Sequence, residues 1–274
     1  PGNWLSTDFL RKVLLGEQID LSGRHVIVLG AGDVALDVAR TAVRLGKPKV
    51  QIVCRGMRAS EHELTAAEDE GVRILSSRVF REVITSEEKI IGIRCLDAEV
   101  GGIENGRRIV REKPGTEHLV EGDLIIWALG QRGDYGFLPE GTEIVSQKPN
   151  GVEVDENMMT AKSGVFVAGD IRQGWTNFVV DAIAEGHKSA RAIDRYLNGG
   201  AGVPEPILPQ DIAKLSKDEI QHKISGGLAS NHPRVKISTI PPEERENNFK
   251  EVDLPLTEEQ ALTCLLYTSP SPRD

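Results

Sequence analysis

The stretch that most constrains this chain is residues 25–55, HVIVLGAGDVALDVARTAVRLGKPKVQIVCR. His25 to Leu29 is a short apolar run rich in β-branched residues, the length and composition of a strand buried on both faces of a parallel sheet. It runs into Gly30-Ala31-Gly32-Asp33-Val34-Ala35, a G-x-G-x-x-A turn. Beyond it Val34, Ala35, Val38, Ala42 and Leu45 recur on one helical face, Gly46 stops the helix, and Lys49 to Cys54 reads as a second buried strand. In such a unit Gly30 permits the tight turn, Gly32 lets the backbone approach a pyrophosphate, and Ala35 allows close helix–strand packing. The helix N-terminus then offers N–H groups and a positive dipole end to the phosphates. A bare G-x-G-x-x-A is weak evidence. Between this strand, helix and second strand it is a dinucleotide-binding candidate, against the plainer reading of a tight turn without ligand.

About 20 residues past Ala35, at the end of the second strand, such sites carry an acidic residue when they bind an adenosine ribose bearing free hydroxyls. Here Arg55 stands at that place, with Arg58 close by. Guanidinium groups pair with phosphate through two hydrogen bonds at once. The expected nucleotide is therefore NADPH; NADH is the alternative if both arginines are merely solvated.

A chain of 274 residues holds one large or two modest domains, and 39% hydrophobic with 27% charged residues suits a globular protein. A net charge of −9 argues against a nucleic-acid partner or an anionic membrane surface. No apolar run approaches the roughly 20 residues of a membrane span, so no membrane insertion is expected. The N-terminus lacks the pattern of a secretion signal, and the expected compartment is the cytoplasm. Pro1 in place of Met gives the expectation that the natural start is missing. The three cysteines, Cys54, Cys95 and Cys264, form no C-x-x-C pair. A disulfide framework, a zinc site and a dithiol redox centre are all unsupported, and Cys54 reads as a small buried hydrophobe. The six histidines are scattered, without a nucleophile or metal pattern. No side chain is assigned as catalytic, and none as a metal ligand.

Asn3 to Gly16 reads as an amphipathic helix with Leu5, Phe9, Val13 and Leu14 on its apolar face. Ser60 and Glu63 form a capping box for a helix running to Glu70 and ending at Gly71, before a third strand at Val72 to Leu75. From Val79 to Val120 short alternating runs, with turns at Gly101-Gly102 and Asn105-Gly106, read as an antiparallel meander. Asp123 to Leu129 returns to a buried strand and closes on Gly130. Gly151 to Asp155 and Gly164 to Ala168 read as two more strands, the second ending at Gly169-Asp170. A long helix is expected from Asn177, with Val179, Ile183, Ala190, Ile193 and Leu197 as its apolar stripe. Beyond Gly200 the chain is Pro-rich and charged and reads as an extended surface tail.

The segment GVFVAGD at 164–170, followed by the helix carrying VVDAIAEG, resembles the C-terminal flavin motif of the two-dinucleotide-domain flavoproteins, the pyridine nucleotide-disulfide oxidoreductase superfamily. HVIVLGAGDVALDVARTAVRLG is similar to the second, pyridine-nucleotide unit of the glutamate synthase small subunit and its relatives. DLIIWALGQ at 123–131 is similar to the point where that family's chain leaves the nucleotide domain and re-enters the flavin domain. LTEEQAL at 256–262 is similar to the tail preceding an iron–sulfur cysteine cluster. The resemblance implies an α/β chain: a Rossmann-like parallel-sheet nucleotide domain with an antiparallel meander, plus the returning half of an FAD-binding domain. It implies NADPH and FAD as cofactors, iron–sulfur clusters in the full-length protein only, and an electron-accepting partner subunit or domain. Gly169 and Asp170 would then meet the flavin's ribityl or pyrophosphate region. Asn177, Phe178 and Val179 would bring the helix N-terminus to its electron-accepting end.

The family's first G-x-G-x-x-G and its cysteine clusters are absent from these residues, and Asp33 stands where relatives often have Asn. The final CLLYTSPSPRD resembles a translated sequencing adapter. The expected organisation is a connecting segment at 1–23, an NAD(P)H-binding domain at 24–130, part of an FAD domain at 131–200, an extended tail at 201–263, and an adapter-derived scar at 264–274. A simple NAD(P)-linked dehydrogenase needs a proton-transfer residue that does not stand out here. A thioredoxin-reductase-type enzyme needs a C-x-x-C, and a non-catalytic nucleotide-binding module is the remaining alternative.

Overall fold

The computed structural model describes residues 2–104, 107–131, 133–139, 144, 151–172, 178–202, 216–227, 235–245 and 247–262, with only the backbone at 103, 104, 107 and 108. Asn105, Gly106, Asn177, Cys264 and the whole of 264–274, all named above, lie outside these residues. Two units result, residues 1–130 with 232–274, and residues 131–231.

The first unit begins with β1 (Asn3–Leu5) and α1 (Ser6–Leu14), then β2 (His25–Gly30), α2 (Asp33–Val43), β3 (Lys49–Val53), α3 (Glu61–Asp69) and β4 (Arg73–Leu75). The meander follows as β5 (Arg78–Ser86), β6 (Lys89–Glu104), β7 (Arg107–Glu112) and β8 (His118–Glu121), and β9 (Leu124–Ala128) closes the unit. Five strands form one parallel sheet in the order β1-β9-β2-β3-β4. The meander forms the antiparallel sheet, with β6 pairing β5, β7 and β8.

The alternation within β2 and β9 shows how the layers are held. Val26, Val28, Leu124 and Ile126 join a core with Phe9, Leu36, Val38, Ala42 and Ile52 under the helices. Ile27, Leu29 and Ile125 join a second core with Ile93, Cys95 and Val120 of the meander. A strand covered on both faces gains nothing from polar alternation, so its sequence reads as a continuous apolar run.

Several expectations are corrected. Residues 3–5 are a parallel edge strand on β9, Asn3 to Leu5 opposite Ile125 to Trp127, not the first turn of a helix. Free backbone groups on β9 outcompete local helical propensity there. Of the expected apolar face Phe9 is buried and Val13 packs on the core, whereas Leu5 and Leu14 are exposed and Ser6 is buried. Val34, placed on the buried face of α2, is 42% exposed, because it sits in the first turn beyond the packed stretch. Gly101-Gly102 is not a turn but lies within β6, where the register shifts between Val100 and Ile103 and an added Cβ on Gly101 would lie 3.4 Å from the Ile109 Cβ. Glu87 and Glu88, both with positive φ, make the reversal between β5 and β6 instead.

In the second unit the two expected strands are reduced to single bridges, Val152 with Arg172 and Met159 with Phe166. Among the described residues neither run has a ladder partner, so one bridge is all each sustains. α4 (Val179–Leu197) is present, but its buried residues are Glu185, Ser189 and Ala192. The expected stripe lies on the other side, with Val179 78% exposed and Ile183 and Leu197 also exposed. The tail is not simply extended. Ser216 and Glu219 form a complete capping box for α5 (Lys217–Ser225). Residues 238–240 pair antiparallel with 252–254 in the first unit, with Ile240 N–H donating to Val252 O at 2.9 Å and Leu254 N–H to Ser238 O at 2.7 Å.

That returning segment carries Arg245, which is buried against α2 and α3. The Glu70 carboxylate, its side chain 2% exposed, accepts from Arg40 at 2.9 Å, Arg44 at 3.1 Å and Arg245 at 3.2 Å. Arg245 also donates to the Ile240 carbonyl and to Thr239 Oγ1. Burial alone would push the Glu70 carboxyl up, but the hydrogen bonds from Arg40 and Arg44 outweigh it and hold the carboxyl below its ordinary range.

Candidate functional site

Gly30 ends β2 opposite Ala128 of β9. A Cβ there would lie 2.5 Å from the Ala128 carbonyl oxygen and 3.0 Å from the Ala35 Cβ. Glycine at 30 is thus enforced by the close approach of α2 to the sheet. Gly32 differs: its backbone is extended, at φ −105 and ψ −179, and an added Cβ meets nothing within 4 Å. The protein's own packing does not require glycine at 32, and the space above it is open.

Gly32 is the N-cap of α2, and no side chain caps that end. The first N–H groups of a helix have no intrahelical acceptor, so α2 presents uncapped donors and its positive dipole end beside an open surface. Ala31 and Gly32 are half-buried, and Asp33 and Val34 are exposed. Asp33 stands in the first turn of α2, where a carboxylate interacts favourably with the dipole. Strand order reverses around β2: β3 and β4 lie on one side, β9 and β1 on the other. The turn therefore occupies the switch point at the carboxyl ends of the strands, where open α/β sheets bind ligands.

A second loop meets the turn. Arg58 N–H donates to the Ala31 carbonyl at 2.7 Å. Cys54 Sγ contacts Met57 Sδ at 3.3 Å within this loop, and Ser60 caps α3 by accepting from Glu63 N–H. Arg55 and Arg58 are both exposed, and neither guanidinium has a partner among the described residues. Among the described residues, the loop bonded to the turn before α2 thus carries two exposed cations without a partner.

Gly130, at φ +98, is exposed and ends the first unit; Gln131, also exposed, begins the second. Within the second unit Gly169 has φ +78 and Asp170 is exposed. Gly169 N–H donates to Glu185 Oε2 at 3.0 Å, and Glu185 Oε1 pairs with Arg172 at 2.6 Å. Phe178 is the N-cap of α4, again without a side-chain cap, and Phe178 and Val179 are exposed.

The structure thus brings Gly30 to Ala35 together with Arg58, and separately ties Gly169, the residue before Asp170, to α4. Sequence reasoning missed Glu185 and Arg172 as a pair. The available signal was an acid, Glu185, directly after the apolar run Ala182-Ile183-Ala184 and before Gly186. Burial pushes the Cys54 thiol up and carries Cys95 to about 11, which fits packing residues and not nucleophiles. Among the described residues no cluster of His, Cys, Asp and Glu is arranged to hold a metal, and no helix is long and apolar enough to cross a membrane.

A family model described as pyridine nucleotide-disulphide oxidoreductase matches residues 3–186. The chain belongs to that family. As a member of this oxidoreductase family it is 34% identical over 254 residues to the NADP(+)-dependent formate dehydrogenase subunit beta of Moorella thermoacetica, covering 89% of this chain and 35% of that protein. It is 33% identical over 217 residues to the glutamate synthase (NADPH) small chain of Azospirillum brasilense, covering 72% of this chain and 43% of that one. The chain therefore spans less than half the length of these curated relatives. The thioredoxin reductase of T. acidophilum superposes with a TM-score of 0.55 at 19% identity, over 73% of this chain and 58% of that chain, and shares the fold.

Proposed function

We propose that this chain is the nicotinamide-binding part, with the returning half of the flavin-binding part, of an NADPH-dependent flavin oxidoreductase subunit. Residues 24–130 would be the NAD(P)H-binding domain and 131–200 part of the FAD domain, with 1–23 as the connecting segment. One observation carries the reading: the uncapped α2 N-terminus lies under open space at Gly32 and is joined, through Arg58 N–H and Ala31 O, to a loop bearing two free guanidiniums.

That arrangement fits a pyrophosphate on the Gly30–Ala35 turn and α2 amides, with Arg55 and Arg58 reaching a ribose 2′-phosphate. The names of the relatives, which include NADP(+)- and NADPH-linked subunits, support the same nucleotide. Gly130, Gln131, Gly169, Asp170, Phe178 and Val179 would face FAD, with Asn177 of the resemblance completing that set. When bound, the two cofactors supply hydride transfer from nicotinamide to flavin. The chain's own residues bind and orient them, and no side chain need move a proton. Electrons would pass through iron–sulfur centres of the longer protein to a partner subunit, in the cytoplasm, as in the glutamate synthase type.

Thermal unfolding of residues 1–263 with NADPH, NADH and FAD tests this. NADPH at a hundredfold excess over its Kd should add about 2.7 kcal/mol of stability, with a smaller shift for NADH. The preparation should be colourless, because residues 1–263 hold no upstream G-x-G-x-x-G to grip the ADP half of FAD. No response to either nicotinamide nucleotide overturns the nucleotide reading. Stoichiometric FAD retained through gel filtration overturns the partial-site reading.

A further inference from the structure

Glu185 lies in the second turn of α4, with its side chain 11% exposed, an unusual place for a carboxylate. Its two oxygens are divided between the two ends of one short turn. Oε2 accepts from the Gly169 N–H at 3.0 Å, and Oε1 holds the Arg172 guanidinium at 2.6 Å. The turn also closes on itself, Arg172 N–H donating to the Gly169 carbonyl at 2.9 Å. Its outer strand is pinned by Val152 N–H on the Ile171 carbonyl at 2.8 Å.

Between these ties stands Asp170. It follows Gly169, whose φ of +78 only glycine adopts freely and which by itself would let the turn swing. A buried ion pair contributes little net stability against an apolar pair of the same volume, whereas removing one partner strands the other. What the Glu185 carboxylate supplies is direction: its charge-assisted hydrogen bond on the Gly169 amide fixes the Ala168–Gly169 peptide plane, and the Arg172 it holds donates its own N–H to the Gly169 carbonyl, in the plane immediately before Asp170.

We propose that Glu185 is a positioning residue of the flavin site. It acts through the Gly169 N–H and Arg172 to aim the Asp170 carboxylate at the polyol hydroxyls of the flavin's sugar chain. The inference rests on the flavin reading above and names how this chain achieves it.

The test uses the 274-residue chain, with FAD titrated to millimolar concentration and amide hydrogen exchange followed at Gly169. Glu185→Ala should speed Gly169 exchange at least tenfold and weaken FAD binding about tenfold. Glu185→Gln, which keeps an acceptor for the amide, should restore most of both. Asp170→Asn should weaken FAD binding comparably while leaving Gly169 exchange unchanged. Stabilisation by NADPH, which involves the other unit, should be the same in all variants and reports that the first unit is intact, while unchanged amide exchange within α4 reports that the second unit is folded. FAD binding by Glu185→Ala within twofold of the parent, with Asp170→Asn impaired, overturns the positioning role alone. No FAD binding by the parent, or binding indifferent to Asp170→Asn, overturns the flavin reading and this inference with it.

Discussion

The backbone N–H of Arg58 donates to the Ala31 carbonyl at 2.7 Å, tying the loop after β3 to the glycine turn after β2. The backbone that carries Arg58, proposed to reach a 2′-phosphate, is thereby held to the turn proposed to hold the pyrophosphate, by a bond between main-chain groups. Arg55→Ala and Arg58→Ala should each weaken NADPH much more than NADH. Loss of one charged hydrogen bond, about 1.5–3 kcal/mol, corresponds to roughly tenfold to hundredfold. Isothermal titration with both nucleotides measures this, and equal losses for the two would remove these arginines from phosphate recognition.

Gly30 and Gly32 should respond differently to the same substitution. Gly30→Ala drives a methyl group to 2.5 Å from the Ala128 carbonyl and should lower the melting temperature strongly or prevent folding. Gly32→Ala enters open space, so its melting temperature should stay within a few degrees of the parent while stabilisation by NADPH falls. Calorimetry with and without nucleotide separates the two effects. A nucleotide response unchanged in Gly32→Ala would show that the open space is not the pyrophosphate site.

Glu70 gives a pH dependence whose sign follows from its depressed ionisation. A carboxyl held lower in the folded chain than in the unfolded one contributes stability that is present above the ordinary value of 4.5 and lost as pH falls through the folded value. Glu70→Gln should flatten the acid limb of the stability curve. It should also cost about 3–5 kcal/mol at neutral pH, because Arg40, Arg44 and Arg245 are left around an uncharged group. Urea unfolding from pH 3 to 7 is the measurement; parallel curves for parent and variant would contradict the assignment.

Cys54 and Cys95 should resist a thiol reagent in the native chain at pH 8, since both are buried and Cys95 ionises only near 11. Peptide mapping after brief labelling should find neither position modified, and both fully modified in denaturant. Rapid native labelling of Cys95 would contradict its place in the core between the sheets.

The elements of the nucleotide unit were legible because local and long-range signals agree in them. β2 reads as buried since both its faces are covered, and α2 carries Ala35, Val38 and Ala42 on the face that packs. Residues 3–5 were misread because nothing local announces that β9 offers them an edge. The apolar stripe of α4 was real in sequence but does not predict burial here: Glu185 and Ser189 face inward instead. The S-x-x-E signal at Ser216 was overlooked within a polar tail, although it has the same form as the one recognised at Ser60. Of the candidate site, the turn and the arginines were visible as motifs. The Arg58–Ala31 bond and the Glu185 tie were not, because each joins residues whose pairing depends on how two loops or a loop and a helix meet.

Arg245 lies 175 residues beyond Glu70 in sequence, with the whole second unit encoded between them. A nascent chain therefore emerges with Glu70, Arg40 and Arg44 long before their last partner exists. The first unit completes only when residues 238–254 have been made, so its final folding step is set by the order of synthesis, and shortening the chain before Arg245 would leave the helical layer over β2 open to proteolysis at α3.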